Sequence, residues 1–277
     1  MPGRQSTLSM RRHSTRRSTP PRSGRGGAPV RLDLNLSGVT DDDPSLTADL
    51  LELYFASNRT GTLGDEDLWV VQRATTAMPW SVPVPVTGIS STVVDSNVEV
   101  SRDGLTLSFT SNRGGNFDLW ISIRASRAVL WSSPVLAVSL SSNSGEWGVV
   151  IADDRLRAVL CSDRAGDEKL YESVRSTAAA AWSAPVEISA LDSVASDCDG
   201  AVFDIDTMYF SSDRVGGLGN IDLWAGSTTT TRFDTIENLG VLNSSARDSD
   251  PWISPDHRTL YFSSNRMGSD DLYLSTR

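Results

Sequence analysis

The stretch YFSSNRMGSDDLYLSTR, Tyr261 to Arg277, reads as a strand, a polar turn and a second strand. Its opening phrase has four earlier relatives: YFASNR (54–59), SFTSNR (108–113), VLCSDR (159–164) and YFSSDR (209–214). The closing arginines, Arg59, Arg113, Arg164, Arg214 and Arg266, are spaced by 54, 51, 50 and 52 residues. A fixed period of about fifty residues is the mark of a repeat architecture, and it decides the fold before any local reading does.

Two more phrases recur in step. DLW (67–69), DLW (118–120), KLY (169–171), DLW (222–224) and DLY (271–273) follow each arginine. WSVPV (80–84), WSSPV (131–135) and WSAPV (182–186) come next, with Phe233 in the tryptophan's place in the fourth unit. Segments such as LTLSFTS and RTLYFSS alternate and are rich in Thr, Ser and aromatic residues, as half-buried strands are. Turn signals separate them: SRDG at 101–104, NRGGN at 112–116, DRVGGLG at 213–219 and SPDH at 254–257. No amphipathic helix pattern stands out. Each unit therefore reads as four strands, a to d, and four strands per fifty-residue unit describe a propeller blade. Five units give an all-β, five-bladed propeller of four-stranded antiparallel blades. Trp69, Trp120, Tyr171, Trp224 and Tyr273 read as apolar wedges between neighbouring sheets.

The phase of the WSxPV phrase predicts how the ring closes. Counting the same interval back from Arg59 lands on Gly26, and Pro29-Val30 then match Pro83-Val84, Pro134-Val135 and Pro185-Val186. The N-terminal segment is an orphan strand d, while the last unit ends after its strand c. Residues 29–35 are thus expected beside 271–276 as the outer strand of the final blade, which removes an open inner edge.

Charge divides the 277-residue chain in two. Residues 1–31 hold eight of the 25 basic residues and no acid, so 17 basic residues face all 35 acids in the remainder. Residues 1–27 read as a disordered basic tail and 28–277 as the propeller. An acidic body disfavours nucleic acid and favours cations or basic partners. No apolar run approaches a membrane span, and no export signal is visible. Cys161 and Cys198 form no disulfide framework and no metal-finger spacing, and the expectation is two buried thiols.

SPDHRTLYFSSNRMGSDDLYLS and SRDGLTLSFTSNRGGNFDLWIS resemble the WD-repeat-like β-propeller repeats of the TolB type. The resemblance covers residues 28–277 in five copies. It implies a monomeric propeller that serves as a protein-binding platform in the bacterial envelope, in the periplasm or outside the cell. The chain departs from the pattern at Lys169, where Asp is expected, and at Leu50, Arg155 and His257, where the turn glycine is expected.

Aligned on the arginines, Asp41, Asp95, Glu146, Asp197 and Asp248 form one column at the start of strand a. Two residues on, Asp43, Asn97, Gly148, Asp199 and Asp250 form a second. The starts of strand c add Asp67, Asp118, Asp222 and Asp271 on the same face, against the five arginines and Lys169. Each arginine is expected to bridge its c-start Asp and an a-start acid, holding the hairpin by forked, charge-assisted bonds. The second column is expected to point toward the channel mouth. Clustered carboxylates suit Ca²⁺, although no EF-hand loop is present and no metal ligand set can be named.

The function these columns favour is non-enzymatic: an acidic face that takes a protein or peptide partner, with Ca²⁺ as the one cofactor the carboxylates would allow. The alternative is a carbohydrate-active enzyme, since some five-bladed propellers are glycosidases. Glu146 would then be the acid and Asp41 or Asp197 the base. His13 in the tail and His257 in an a–b turn leave no nucleophile–histidine arrangement, so no catalytic residue is assigned.

Overall fold

A computed structural model of the chain describes residues 27–202 and 207–276. The tail expected to be disordered lies, up to residue 26, outside the described residues. Among the described residues there is no helix; every regular element is a strand. The first is β1 (Val30–Arg31). Blade one follows as β2 (Asp41–Leu46), β3 (Glu52–Ser57), β4 (Asp67–Gln72) and β5 (Val84–Pro85). Blade two is β6 (Asp95–Val100), β7 (Thr106–Ser111), β8 (Asp118–Ile123) and β9 (Val135–Leu136). Blade three is β10 (Glu146–Ile151), β11 (Arg157–Ser162), β12 (Lys169–Val174) and β13 (Val186–Glu187). Blade four is β14 (Asp197–Val202), β15 (Thr207–Ser212), β16 (Asp222–Ser227) and β17 (Thr235–Asn238). Blade five holds β18 (Asp248–Ile253), β19 (Thr259–Ser264) and β20 (Asp271–Thr276), and β1 is its outer strand. The inner strands β2, β6, β10, β14 and β18 neighbour one another around the axis, with β18 against β2. The protein is a five-bladed β-propeller.

Strand b explains how the ring is glued. Consecutive strand residues face opposite sides of a sheet. Tyr54 therefore enters the seam with blade two, among Val98, Leu107 and Phe109, while Phe55 enters the seam with blade five, among Trp252, Tyr261 and Leu272. Tyr261 and Phe262 divide in the same way between their two seams. Five apolar clusters fill the five seams. Each fully buried aromatic contributes about 1.5–3 kcal/mol, so the b-strand phrase carries much of the ring's stability. The wedge residues Trp69, Trp120, Tyr171, Trp224 and Tyr273 lie in these clusters, as packing elements.

Closure follows the predicted phase, with a shorter ladder. Val30 pairs with Leu274 and Arg31 with Tyr273. Beyond them, Leu32 N donates to Leu272 O at 2.9 Å and Asn35 Nδ2 donates to the same oxygen at 2.9 Å. The Arg31 guanidinium meets both Asp271 oxygens at 2.7 Å. Outer strands stay short because Pro83, Pro134 and Pro185 sit at their entrances and cannot donate to a ladder. The three turns that lack the expected glycine keep its conformation: Leu50, Arg155 and His257 have φ of 60°, 59° and 56°. For an L-residue this left-handed geometry costs about 1–2 kcal/mol.

The two cysteines correct the sequence reading. Cys161 and Cys198 form a disulfide that joins β11 of blade three to β14 of blade four. They are 37 residues apart, and only the ring places those strands side by side.

Candidate binding site at the channel mouth

The repeat arginines and the first column form five matching clamps. Arg59 Nη2 lies 2.5 Å from Asp41 Oδ1, Arg214 Nη2 is 2.5 Å from Asp197 Oδ1, and Arg164 Nη2 is 3.1 Å from Glu146 Oε1. Arg113 pairs with Asp95 and Arg266 with Asp248 in the same way. All five acids are fully buried. Each guanidinium also donates Nε–H to the serine that ends its own b strand. Four reach a carbonyl in the segment that leads into strand a of their own blade: Ile89, Leu140, Leu191 or Leu242. The guanidinium stacks on the blade's rings, as Arg59 does over Phe55 at 4.8 Å and Trp69 at 5.4 Å.

The expected second arm of the bridge, to the c-start acids, is not made among the described contacts. The guanidinium is engaged by the acid of strand a, and the c-start acids have other partners. Asp67 accepts the Leu63 and Gly64 amides, and Asp222 accepts the Leu218 and Gly219 amides. Asp118 is hydrogen-bonded to Ser141, and Asp271 is held by Arg31. Lys169, which replaces the fifth, binds Asp192 at 2.7 Å, so the charge is swapped along with its partner.

The second column marks a bulge. In every inner strand the register slips at this point. The residues there, Asp43, Asn97, Gly148, Asp199 and Asp250, have φ of 53°, 46°, 59°, 49° and 53°. Asp, Asn and Gly are the types that tolerate this region. Their recurrence is a conformational demand before it is a functional one. The bulge amide donates to a hydroxyl on strand b of the preceding blade: Asp43 N to Ser263 Oγ at 3.1 Å, Gly148 N to Thr110 Oγ1 at 3.0 Å, and Asp250 N to Ser211 Oγ at 3.1 Å. The other two seams lack that hydroxyl. Ala56 offers none, and Asn97 N turns to Asp43 Oδ2 at 2.6 Å. Cys161 stands at the corresponding place on blade three, and the disulfide to Cys198 closes that seam.

Above the bulges opens a cavity of about 320 Å³. Asp43, Asn97 and Asp199 line it, joined by Asp42, Glu66, Glu168 and Arg247. Asp250 lines the narrower space beneath, with Asp43 and Asp199. The first column takes no part, because it lies under its arginines. The sequence reading missed Asp42, Glu66, Glu168 and Arg247. The signal available was the residue before each DLW-type phrase, which is acidic at Glu66, Glu168 and Asp270.

One wall is aromatic. Trp147 lines the cavity, with Phe117 tilted beside it at 6.5 Å between ring centres. Its indole lies over Gly145, where a Cβ would come within 2.3 Å of the ring.

The mouth carboxylates are poorly compensated. Burial, with the charge of Asp250 next in weight, raises Asp43 and Asp199 well above the usual carboxylate range. Burial and then Asp43 raise Asp42 in the same way. Burial pushes Glu66 up to about 7, against a hydrogen bond with Asp42. Deeper in the channel, burial also takes Glu99 up to about 7, although Ser45 donates to it at 2.7 Å. Among the described residues, no three His, Cys, Asp or Glu side chains are set to hold a metal ion.

No family model matches this chain, and no curated protein does. Solved structures share its fold. A putative TolB from Agrobacterium tumefaciens is 16% identical, with 83% of this chain and 72% of that one covered at a TM-score of 0.52. The GH62 α-L-arabinofuranosidase catalytic domain of Coprinopsis cinerea is 12% identical, covering 90% and 95% at 0.55. An α-L-arabinofuranosidase from Lactobacillus brevis is 10% identical, covering 89% and 94% at 0.56. At these identities the likeness is one of fold, and it extends equally to a TolB and to glycoside hydrolases.

Proposed function

We propose that the channel mouth binds a cationic side chain on a protein or peptide partner. The carrying observation is the unbalanced charge of the cavity: Asp42, Asp43, Glu66, Glu168, Asp199 and Asp213 line it against Arg247 alone. An entering ammonium or guanidinium would offset the burial, and then the mutual repulsion, that raise Asp42, Asp43 and Asp199. Trp147 supplies an apolar, cation-attracting surface for the stem of such a group. That pairing of carboxylates with an indole favours an organic cation over a bare metal ion. Calorimetry with hexalysine at low salt tests the reading. Binding is expected to strengthen from pH 5 to pH 8 as the carboxylates ionise, and to vanish in an Asp43/Asp199/Asp250→Asn variant. Absence of heat with the folded wild type would remove the proposal.

A catalytic reading rests on Glu66, an acid near 7 in a cavity of a fold that arabinofuranosidases share. It needs carboxylates other than Glu146, Asp41 and Asp197, which are buried beneath Arg164, Arg59 and Arg214. Hydrolysis of an aryl α-L-arabinofuranoside that disappears in Glu66→Gln would replace the binding reading with this one.

A further inference from the structure

Arg247 is the base that the repeat does not explain. The residue just before the first-column acid is Thr40, Val94, Gly145 and Ser196 in the other four blades. A scaffold that needs no charge there in four copies has no general use for one in the fifth. The backbone of Arg247 is fixed: its N–H donates to Asn265 Oδ1 at 2.9 Å, and its carbonyl accepts Asn265 N–H at 3.2 Å. Its guanidinium is not fixed in that way. Its ion pairs are 3.7 Å to Asp250 and 3.6 Å to Asp270, beyond hydrogen-bond length, and about a third of the side chain is exposed. The clamp arginines, by contrast, close on their acids at 3.1 Å or less. Arg247 also acts electrostatically on Asp199 of blade four and Asp42 of blade one. One loosely held cation thus sits among carboxylates from three blades.

We infer that Arg247 is a tethered occupant of the mouth, a guanidinium that a partner's cationic side chain must displace in order to bind. This rests on the proposed function above and adds its regulation. A cation held at a fixed place in the cavity competes at high effective concentration with any cation arriving from solution. It also spares the empty mouth some of its self-repulsion. The cost falls on the incoming ligand, whose apparent affinity drops by the fraction of mouths that Arg247 occupies.

Calorimetry with hexalysine on wild type, Arg247→Met, Arg247→Lys and Asp199→Asn/Asp250→Asn separates the possibilities, with circular dichroism to verify folding. Arg247→Met is expected to bind about ten-fold tighter than wild type, Arg247→Lys to stay within about two-fold, and the double Asn variant to lose binding. Wild-type binding with Arg247→Met equal or weaker would assign Arg247 to the binding face or to structure, overturning this inference and leaving the mouth as a cation site. If neither folded wild type nor folded Arg247→Met binds, the mouth reading falls and takes this inference with it. Should Arg247→Met fail to fold, Arg247→Gln, which keeps polar reach without charge, carries the same expectation of tighter binding.

Discussion

Two columns of acids stand two residues apart on the same five strands, and they behave in opposite ways. Asp41, Asp95, Glu146, Asp197 and Asp248 are fully buried, and each is met by its own arginine. Asp43, Asp199 and Asp250 share one space around the axis, Arg247 comes no nearer than 3.7 Å to Asp250, and burial raises Asp43 and Asp199. Burial of charge is tolerable where a fixed counter-charge and hydrogen bonds replace water. The first column has both. The second has backbone geometry as its reason for being there; Asn97 donates to Asp43 and Ser249 to Asp250, but no arginine closes on these acids as the clamps do.

The sharpest way to break the comparison is to unpair a clamp. Arg59→Met leaves the Asp41 carboxylate fully buried, with Oδ2 already lacking a partner. Urea unfolding should show a loss of about 3–5 kcal/mol, the usual cost of stranding one half of a buried pair. Adding Asp41→Asn should recover part of it. A loss under about 1 kcal/mol would mean that the first column is not a set of structural clamps.

Next in size is the seam where a disulfide stands in for a hydroxyl bond. Cys161→Ala/Cys198→Ser removes a crosslink closing a 37-residue separation. The chain-entropy account puts its contribution at about 4 kcal/mol, with measured cases nearer 2–4. Melting with and without reductant checks this, and an unchanged wild-type midpoint under reduction would reduce the bridge to a packing contact.

The smallest effect has the opposite sign. Asp43 and Asp199 hold protons more tightly folded than unfolded, because their folded values are raised. Their contribution to stability is whole below the ordinary carboxylate range and is lost as pH rises through the raised values. Asp43→Asn/Asp199→Asn should therefore be more stable than wild type at pH 8 and should lose less stability between pH 4 and pH 8. Each like-charge contact relieved is worth about 1 kcal/mol across a hydrated 4 Å gap. Lower stability of the variant at pH 8 would show that the mouth acids are structurally paired after all.

The phrases that name the fold were legible because the same seam is built five times. Tyr54 and Phe55 announce two neighbours by alternation alone, and the phase of Pro29-Val30 places the closing strand. The arginine clamp is half legible: the acid that opens strand a of the same blade can be read from the repeat, whereas the c-start acids are engaged by loop amides or by Arg31, which the repeat does not announce. Asp, Asn and Gly at the second column could have been taken for a left-handed bulge, for no other common property unites them.

Repetition along the chain determined the blade count, the closure and the first-column clamps, because each depends on contacts that recur between neighbours in a periodic order. The tertiary structure alone decided the Cys161–Cys198 bridge, the company of Asp42, Asp43, Glu66 and Asp199, and the reach of Arg247 into them. Those contacts join residues of different blades far apart in the chain, and bending five sheets around one axis is what brings them within range of each other.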